Sequence, residues 1–348
     1  MAKLTVLMTV YNGGAYLRET IESILNQTYK DFKFLIIDNA STDNSREVIG
    51  SFNDPRIDLV ALPENIGQIP ALNKGLDMID TPYIARMDAD DISLPHRFKR
   101  QVAFMEKHPD VGVCGTFVIT FRGKKENRYT WPCQSADLKV KLLFECTIAH
   151  PSVMLRKSLF DKYRLRYNET LGHSEDWELW QRAGRCFELA NIPLFLLRYR
   201  IHEGNESFKI FHRQREAAEK LDAESLKPLK LQNHPLRSIH RDVAFETFNA
   251  KNREPQFIHH VKEWFDQLKH ANQNHQVYDE NALNRFLKER LFIVLTNNTY
   301  HWRSALRMFR KEELRCCVPS MWTWKFMAKI LWAMLKPKPR NTQNTRKK

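Results

Sequence analysis

The sequence has little of what marks small disulfide-rich, fibrous or membrane-spanning proteins. Its 348 residues include only 6 cysteines, 11 glycines and 15 prolines. The cysteines form no C-x-x-C pair, so we expect neither a zinc module nor a disulfide framework, and a reducing compartment fits. No run reaches the ~18 charge-free apolar residues that a membrane span needs. These absences leave a globular chain of one large domain with an appendage, or of two domains.

Positive charge is concentrated at the carboxyl-terminal end. Residues 1–300 hold 42 Lys and Arg against 39 Asp and Glu, whereas residues 301–348 hold 13 against 2. Because a nucleic-acid enzyme carries its basic charge around the working groove, we expect no nucleic-acid partner. Residues 319–348 combine a tryptophan-rich helical pattern, a lysine stripe and a basic tail, which favours attachment to an anionic membrane surface. The alternative is a helix docked on the body with a solvated tail.

Short apolar runs alternate with helical patterns through the first hundred residues. Strands are predicted over residues 4–10, 34–37, 57–62 and 83–87, and each of the first three is followed by a helix. This alternation predicts an α/β fold with parallel β-α-β units. Ligands of such folds gather beyond the carboxyl ends of the strands. The polar residues at those ends are Thr9, Tyr11, Asp38, Asn65, Asp88 and Asp90.

The Asp88-Ala89-Asp90 segment is the sharpest of these features. Alternate side chains of an extended chain point the same way, so Asp88 and Asp90 can face one ligand together. Carboxylates crowded at the exit of a buried strand suit Mg²⁺ or Mn²⁺ bridging phosphates. The alternative is a solvated acidic turn that also starts the next helix.

A second acidic site lies in the segment from His173 to Trp180. Ser174 is expected to cap a helix whose first turn holds Glu175 and Asp176, and the helix dipole alone would favour acids there. Trp177 and Trp180 are expected in the core, with one of them a possible sugar-stacking wall.

Several strings together resemble family-2 glycosyltransferases of the GT-A fold. They are LTVLMTVYNGGAYLRETIESILNQTYKDFKFLIIDNASTDNS, PENIGQIPALNKGLDMIDTPYIARMDADD, HPSVML and SEDWELW, in this order. The resemblance covers about residues 1–205. It implies a GT-A fold with a mostly parallel central sheet, and an inverting transferase that takes a sugar from a nucleoside diphosphate with Mg²⁺ or Mn²⁺ as cofactor.

Carried over residue by residue, the resemblance assigns the donor site. Thr9 and Tyr11 would line the nucleoside pocket, and Asp38 would bind the base, with UDP-sugar the expected donor. Three further residues would shape the floor under the ribose and diphosphate: Asn65, Gly67 and Asn73.

The resemblance also assigns the reacting groups. Asp88 would face the ribose or the metal, and Asp90 would ligate the metal, with His202 a further candidate for metal or phosphate. Asp176 would be the general base, with Glu175 beside it shaping the acceptor site. Arg198 and Arg200 are candidates for the leaving diphosphate, and the alternative for both is stacking and ion pairing at a domain edge.

The chain departs from the family pattern in two places, which affect the predictions of the base and of processivity. Asn39 stands where many relatives have a second Asp, which weakens inference about the base. The segment Gln181 to Cys186 is not the Q-x-x-R-W pattern of processive synthases, so a non-processive enzyme is expected. Two alternatives stay open: a nucleotidyltransferase, disfavoured because no lysine lies close after the Tyr11 to Gly14 turn, and a catalytically silent nucleotide- or membrane-binding protein.

The predicted organisation has three parts. Residues 1–205 form the GT-A domain, with a nucleotide-binding half at 1–110 and an acceptor half at 111–205. Residues 206–318 form a helical region, and residues 319–348 form a basic amphipathic segment. The expected acceptor is a glycan or a lipid-linked glycan in cell-surface polysaccharide or lipopolysaccharide assembly. The expected location is the inner face of the cytoplasmic membrane, as a peripheral protein.

Overall fold

A computed structural model describes residues 2–171, 174–204, 221–244 and 255–297. The chain divides into two compact units, Met1–Lys227 and Pro228–Lys348. Residues 205–220 and 298–348 lie outside the described residues, so the predicted boundary at residue 205 and the predicted membrane-associating segment 319–348 remain predictions.

Up to residue 87 the first unit alternates strands and helices in the order that the sequence pattern predicts. Its strands are β1 (Leu4–Val10), β2 (Phe32–Asp38), β3 (Ile57–Ala61), β4 (Tyr83–Met87), β5 (Ile92–Ser93), β6 (Val111–Arg122), β7 (Lys125–Tyr129), β8 (Met154–Arg156) and β9 (Glu188–Arg200). Its helices are α1 (Gly14–Leu25), α2 (Ser45–Gly50), α3 (Gln68–Met78), α4 (Arg97–Lys107), α5 (Ser135–Lys141), α6 (Lys157–Lys162) and α7 (Glu175–Gly184). A 3₁₀ turn covers His150–Ser152.

All nine strands belong to one sheet in the order β3-β2-β1-β4-β8-β6-β9-β5, with β7 paired to β6. β3, β2, β1 and β4 are mutually parallel, β8 is antiparallel to both β4 and β6, and β9 is parallel to β6. The carboxyl ends of the four parallel strands therefore meet at one edge of the sheet, which is where ligands bind in such folds. The predicted α/β fold is confirmed.

Burial on both faces of the sheet explains the nearly continuous apolar runs of β1 and β4. Leu7 and Ile84 face a core cluster that also receives α3, α5 and α7, whereas Met8 and Ala85 face a cluster that receives α1, α2 and α4. α3 packs closely on β1 because Gly75 has no side chain: a Cβ there would lie 2.3 Å from Leu7 Cδ1.

The second unit is helical, as the pattern after residue 206 indicates. Its described helices are α8 (Arg237–Ala244), α9 (Pro255–His275) and α10 (Glu280–Asn297). Trp264 of α9 is fully buried and its Nε1 donates to Nδ1 of His240. The turn between α9 and α10 is closed by the Asn272 side chain, which donates to the Tyr278 carbonyl and accepts from the Tyr278 amide.

Across the described parts of the chain, every helix is too short or too polar to cross a bilayer.

Candidate active site

The acidic loop, Asp88 to Asp91, leaves the carboxyl end of β4 and brings three carboxylates together. One oxygen from each of Asp88, Asp90 and Asp91 lies within 4.8 Å of the others. Oδ2 of Asp91 is buried without a hydrogen-bond partner. Burial, followed by the charge of Asp88, raises the pKa of both Asp90 and Asp91, and Asp91 is raised well above its ordinary value. A divalent cation would relieve this repulsion and satisfy the orphaned oxygen, so the donor set fits Mg²⁺ or Mn²⁺.

Contacts from α1 and β9 hold the loop in place. The Thr20 hydroxyl lies 3.0 Å from the Ala89 carbonyl and 2.9 Å from the Asp91 carbonyl. The Arg200 amide donates to Oδ1 of Asp91 at 2.8 Å, and Arg200 Nε donates to the Asp90 carbonyl at 2.8 Å. The sheet order, which sends β9 back beside β5, therefore fixes the backbone of the acidic loop.

His202 joins the acidic loop from the end of β9. Its Nε2 lies 2.9 Å from Oδ2 of Asp90, and its Nδ1 accepts from the Gly204 amide at 3.1 Å. Because Nδ1 is an acceptor, the neutral ring carries its proton on Nε2 and donates it to Asp90. Its ring also packs on Tyr16, with 4.6 Å between centroids. The structure thus brings His202 to Asp90, one of the two predicted metal-ligand aspartates.

The two neighbouring arginines are engaged in other contacts. The Arg200 guanidinium is ion-paired with Glu19 and lies over the Tyr16 ring. Arg198 pairs with Glu126 at 2.5 Å and lies over the Phe121 ring at 4.3 Å. Both arginines show the stacked and ion-paired arrangement that the sequence left as an alternative.

The predicted nucleoside pocket is framed by two interlocked turns that follow β1 and β2. The Asn12 carboxamide oxygen accepts from the Thr42 amide at 2.8 Å, and the Asp43 carboxylate accepts from the Gly14 amide at 3.0 Å. Tyr11 stands at this edge with half of its surface exposed, 52%. Thr9 lies at the end of β1, half-buried. Asn12 and Asp43 therefore have a structural role, because their side chains join the two turns by hydrogen bonds.

Asp38 is fully buried beneath this pocket. Its Oδ2 accepts from Arg46 Nε at 2.5 Å, and its Oδ1 accepts from the Ser41 amide at 3.2 Å. The Arg46 side chain is 47% exposed. Arg46 is therefore the member of the ion pair that a base could contact. The sequence pattern did not single out this arginine.

The hydrogen bonds of Asn39 explain why an asparagine, rather than a second aspartate, suits this position. Its Nδ2 donates to Oδ1 of Asn65 at 2.8 Å, and its Oδ1 accepts from the Ile66 amide at 3.0 Å. The same Asn65 oxygen accepts from the Gly67 amide at 2.9 Å. Gly67 has φ 90°, a conformation that suits glycine. An aspartate at position 39 would lack the donor that holds Asn65.

Asn73 is placed on the inner side of α3 rather than on an open floor. Its side chain donates to the Tyr167 carbonyl at 2.9 Å and accepts from the Tyr167 amide at 2.8 Å. It also donates to Glu169. Any influence of Asn73 on a ligand therefore passes through the position of residues 167–169.

Glu175 and Asp176 begin α7, as predicted, but the helix start is built differently. Ser174 precedes the helix in a left-handed conformation, φ 65°, and its side chain makes no capping hydrogen bond. That expectation is wrong, because the helix-start amide of Trp177 is taken by Oδ1 of Asp176 at 2.7 Å. Oδ2 of Asp176 lies 3.6 Å from the Cys146 thiol.

Burial dominates the electrostatics of the two acids. Burial and then the charge of Asp176 raise the pKa of Glu175 to about 7. Burial also raises the pKa of Asp176, while the Trp177 amide, Arg86 and the Cys146 thiol act in the opposite direction. Asp88 is near enough for its charge to add to the pKa of Glu175. The fold thus places the acidic loop close enough to the α7 acids for their charges to interact, although they are 84 residues or more apart in sequence.

The two tryptophans of α7 are both core residues. Trp180 is fully buried, and Trp177 is 6% exposed with Nε1 donating to the Leu142 carbonyl. The expectation of a core role is confirmed, and neither ring is available as a sugar-stacking wall.

Four residues near the site lie outside the predicted set of site residues: Cys146, Tyr167, Arg86 and His150, the last of which begins the HPSVML string. Cys146 contacts Asp176, and His150 Nε2 lies 2.7 Å from the Tyr167 hydroxyl. Burial, and then the charge of Arg86, lowers the pKa of His150 well below its ordinary value. Arg86 is buried and ion-paired with Asp88. Cys146 and Tyr167 have no sequence spacing that relates them to the site, whereas Arg86, two residues before Asp88, and His150, in the HPSVML string, were within reach of local pattern reasoning.

The sheet order and the acidic loop at the end of β4 define the class of GT-A nucleotide-diphospho-sugar transferases. The structure of S. aureus TarS in complex with UDP-GlcNAc has this fold, with a TM-score of 0.54 at 16% identity over 89% of this chain and 92% of that chain. The family profile described as glycosyl transferase family 2 matches residues 5–164.

Two relatives place the chain within that family. An uncharacterized glycosyltransferase of Haemophilus influenzae is 30% identical over 236 residues, 64% of this chain and 73% of the relative. The O-antigen biosynthesis glycosyltransferase WbnJ of Escherichia coli is 33% identical over 210 residues, 57% of this chain and 80% of the relative. The chain belongs to glycosyltransferase family 2, and it is a glycosyltransferase.

Proposed function

We propose that the protein is an inverting, non-processive, divalent-metal-dependent transferase. It moves a sugar from a nucleoside-diphosphate donor, expected to be a UDP-sugar, to a glycan or lipid-linked acceptor in cell-surface polysaccharide or lipopolysaccharide assembly. The similarity to an O-antigen biosynthesis enzyme supports the acceptor class, and a neighbour of the same fold that binds UDP-GlcNAc supports the donor class.

The donor occupies the edge where the parallel strands end. Tyr11 and Thr9 flank the nucleoside, and the Asp38–Arg46 pair lies below the base. The Asn39–Asn65 contact holds the turn that leads to Gly67 and α3. Asn73 supports this side from within, through the Tyr167 main chain.

The acidic loop would hold the metal. Asp88 and Asp90 would be its ligands, the buried Asp91 oxygen would complete the negative set, and His202 would orient Asp90 or join the ligands. When bound, Mg²⁺ or Mn²⁺ would neutralise charge on the leaving diphosphate. The protein side chains supply position, because Arg200 and Thr20 hold the loop backbone.

Transfer is a single displacement at the anomeric carbon. The acceptor hydroxyl oxygen forms the new bond to that carbon as the bond to the diphosphate oxygen breaks, and the carboxylate of Asp176 takes the hydroxyl proton. Glu175 stands beside Asp176 and shapes the acceptor side. One base and no intermediate on the enzyme give inversion of configuration.

We further propose that the enzyme works as a peripheral protein at the inner face of the cytoplasmic membrane. The proposal is supported by the concentration of 13 Lys and Arg against 2 Asp and Glu within residues 301–348. Basic residues beside an apolar helix act as two weak anchors on an anionic surface.

The observation that carries the proposed reaction is the convergence of the acidic loop and the α7 acids. The test is a hydrolysis screen of UDP-, GDP- and dTDP-sugars with Mn²⁺ or Mg²⁺. Release of nucleoside diphosphate from one class, lost with chelator, supports the proposal. Release of pyrophosphate from a nucleoside triphosphate plus sugar phosphate would instead indicate a nucleotidyltransferase, and binding without turnover would indicate a silent binder.

A further inference from the structure

Arg86 is a buried arginine on a central strand of the sheet. It is 3% exposed, and β4 is flanked by β1 on one side and β8 on the other. Because side chains alternate along a strand, Arg86 shares the face of Ile84 and Asp88. Ile84 belongs to the core cluster that also contains Trp177 of α7. The guanidinium therefore emerges on the face of the sheet that carries α7.

The Arg86 backbone is held from both sides. Its amide donates to the Val153 carbonyl at 3.1 Å, and its carbonyl accepts from Arg97 Nη2 at 2.8 Å. Its guanidinium is ion-paired with Asp88 through Nη1. Nε is buried and makes no hydrogen bond to any part of the chain that the structure describes. Burying a guanidinium with an unused donor is costly, so a role in packing alone does not explain it.

The charge of Arg86 reaches acids on both sides of the site. For Asp90 and Asp91 on the loop, burial raises the pKa and Arg86 opposes that rise. The same holds for Glu175 and Asp176 on α7. Arg97 is also fully buried nearby. Its guanidinium donates to Gln101, Met87 and two main-chain carbonyls rather than to a carboxylate.

We propose that Arg86 is a positioning residue of the transfer reaction, whose buried guanidinium fixes the direction of the Asp88 carboxylate and is the counter-ion shared by the acidic loop and the α7 acids. This role of Arg86 rests on the proposed function. Arg86 touches neither the base nor the sugar; it acts through Asp88 on the donor side and through its charge on Glu175 and Asp176.

Three variants test this: Arg86→Gln removes the charge, Arg86→Lys keeps it, and Arg56→Gln is the matched control. Arg56 is a partly buried arginine ion-paired with Asp54 at 2.7 Å, just before β3 and at the opposite end of the strands from the acidic loop. The first measurement uses Mn²⁺ alone and needs no donor. Since a cation replaces a missing counter-ion, Mn²⁺ should raise the melting temperature of Arg86→Gln more than that of the wild type, Arg86→Lys or Arg56→Gln.

The second measurement uses the nucleotide sugar that the wild type hydrolyses best. Arg86→Gln should lower kcat at least 10-fold, and Arg86→Lys should restore it to within a few-fold of the wild type. Because Arg86 opposes protonation of Glu175 and Asp176, its removal should move the acidic limb of the kcat profile to higher pH. Besides Arg86, the groups around the two acids are the Cys146 thiol, the Tyr167 hydroxyl, the Trp177 amide, Asp88 and each other, and the variants leave all of these in place.

The proposal is overturned if folded Arg86→Gln matches Arg56→Gln both in the rise of melting temperature that Mn²⁺ causes and in the pH of the acidic limb of the kcat profile. It is also overturned if Arg86→Lys is as impaired as Arg86→Gln, since shape rather than charge would then matter. Failure of the proposed function is a separate outcome: the wild type would hydrolyse no nucleotide sugar, while the Mn²⁺ measurement would still decide whether Arg86 is a counter-ion.

Discussion

Asp176 and Glu175 are adjacent, yet their surroundings suit them to different tasks. Asp176 receives the Trp177 amide and the Cys146 thiol, which fix its carboxylate. Glu175 is poised by burial at a pKa of about 7, a value that would also suit a base near neutral pH. The fixed position of its carboxylate favours Asp176 as the base, whereas a pKa of about 7 favours Glu175. Substituting each acid in turn distinguishes the two assignments.

Asp176→Asn should lower the transfer rate by ~100-fold or more with donor affinity close to that of the wild type, because the amide is nearly isosteric but cannot take a proton. Steady-state transfer and calorimetric donor binding measure the two effects. Glu178→Gln, on the same helix and ion-paired with Arg182, is the control and should retain activity. Turnover within a few-fold of the wild type would leave Asp176 as a helix-start residue only.

Glu175→Gln should stabilise the protein at alkaline pH. The folded-state pKa of about 7 lies above the ordinary 4.5, so the native state holds the extra proton and stability falls as pH rises between these values. The variant loses this penalty and should be more stable than the wild type at pH 8 by about 1 to 3 kcal/mol, since one pKa unit is worth ~1.4 kcal/mol. Near pH 4 the two should agree.

Thermal unfolding in chelator at pH 8 and pH 4 measures this difference. Glu178→Gln again serves as the control, because it loses an ion pair with Arg182 and should not gain stability. Equal melting temperatures of Glu175→Gln and the wild type at pH 8 would show that Glu175 is well solvated.

At the scale of elements, the site depends on where β4 and β9 end. β4 delivers the acidic loop, and β9, which returns parallel to β6, delivers His202 and the Arg200 amide to the same place. Three carboxylates within 4.8 Å are stable there because the backbone is fixed from α1 and β9. The loop is therefore preorganised for a cation before a donor arrives.

Asp90→Ala should abolish the Mn²⁺-dependent part of UDP binding, because the metal neutralises the diphosphate. Calorimetry with UDP, with and without Mn²⁺, measures it. The control is Asp58→Ala, an exposed aspartate near the start of β3. If the affinity of Asp90→Ala for UDP still rose with Mn²⁺ as in the wild type, Asp90 would not be a ligand.

At the scale of the whole molecule, charge and apolar surface are unevenly distributed along the chain. Residues 319–335 read PSMWTWKFMAKILWAML, and the residues beyond them are strongly basic. A purely electrostatic tail should release at high salt, since at 1 M charges are screened beyond ~3 Å. An apolar helix inserted among headgroups should resist salt.

Truncation before Pro319 should give a protein that still hydrolyses donor but no longer binds anionic vesicles. The full-length chain should cosediment with such vesicles and be only partly released by 1 M salt. Neutral vesicles are the control and should bind less. Failure of the full-length chain to cosediment at low salt would mean that the helix packs on the protein instead.

Much of the architecture was accessible from local pattern. The strands, the helices between them and the acidic loop follow from apolar periodicity and from acids placed at strand ends, and family membership follows from several motifs in order. The helix start at Ser174 was mispredicted because Ser is a common cap, whereas the Asp176 carboxylate takes the free amide here.

What the sequence alone determined is the α/β fold, the family and the set of acids, because these depend on residue type and spacing along one strand or helix. Tertiary structure decided which partners those acids have. Arg46 covers Asp38, Cys146 meets Asp176, and Arg86 reaches both the acidic loop and α7. The pattern of one strand or helix does not show these contacts, since Arg46 is 8 residues from Asp38 and Cys146 is 30 residues from Asp176. Burial, which raises the pKa of Cys146 and Asp176, exists only once the sheet and helices have packed together.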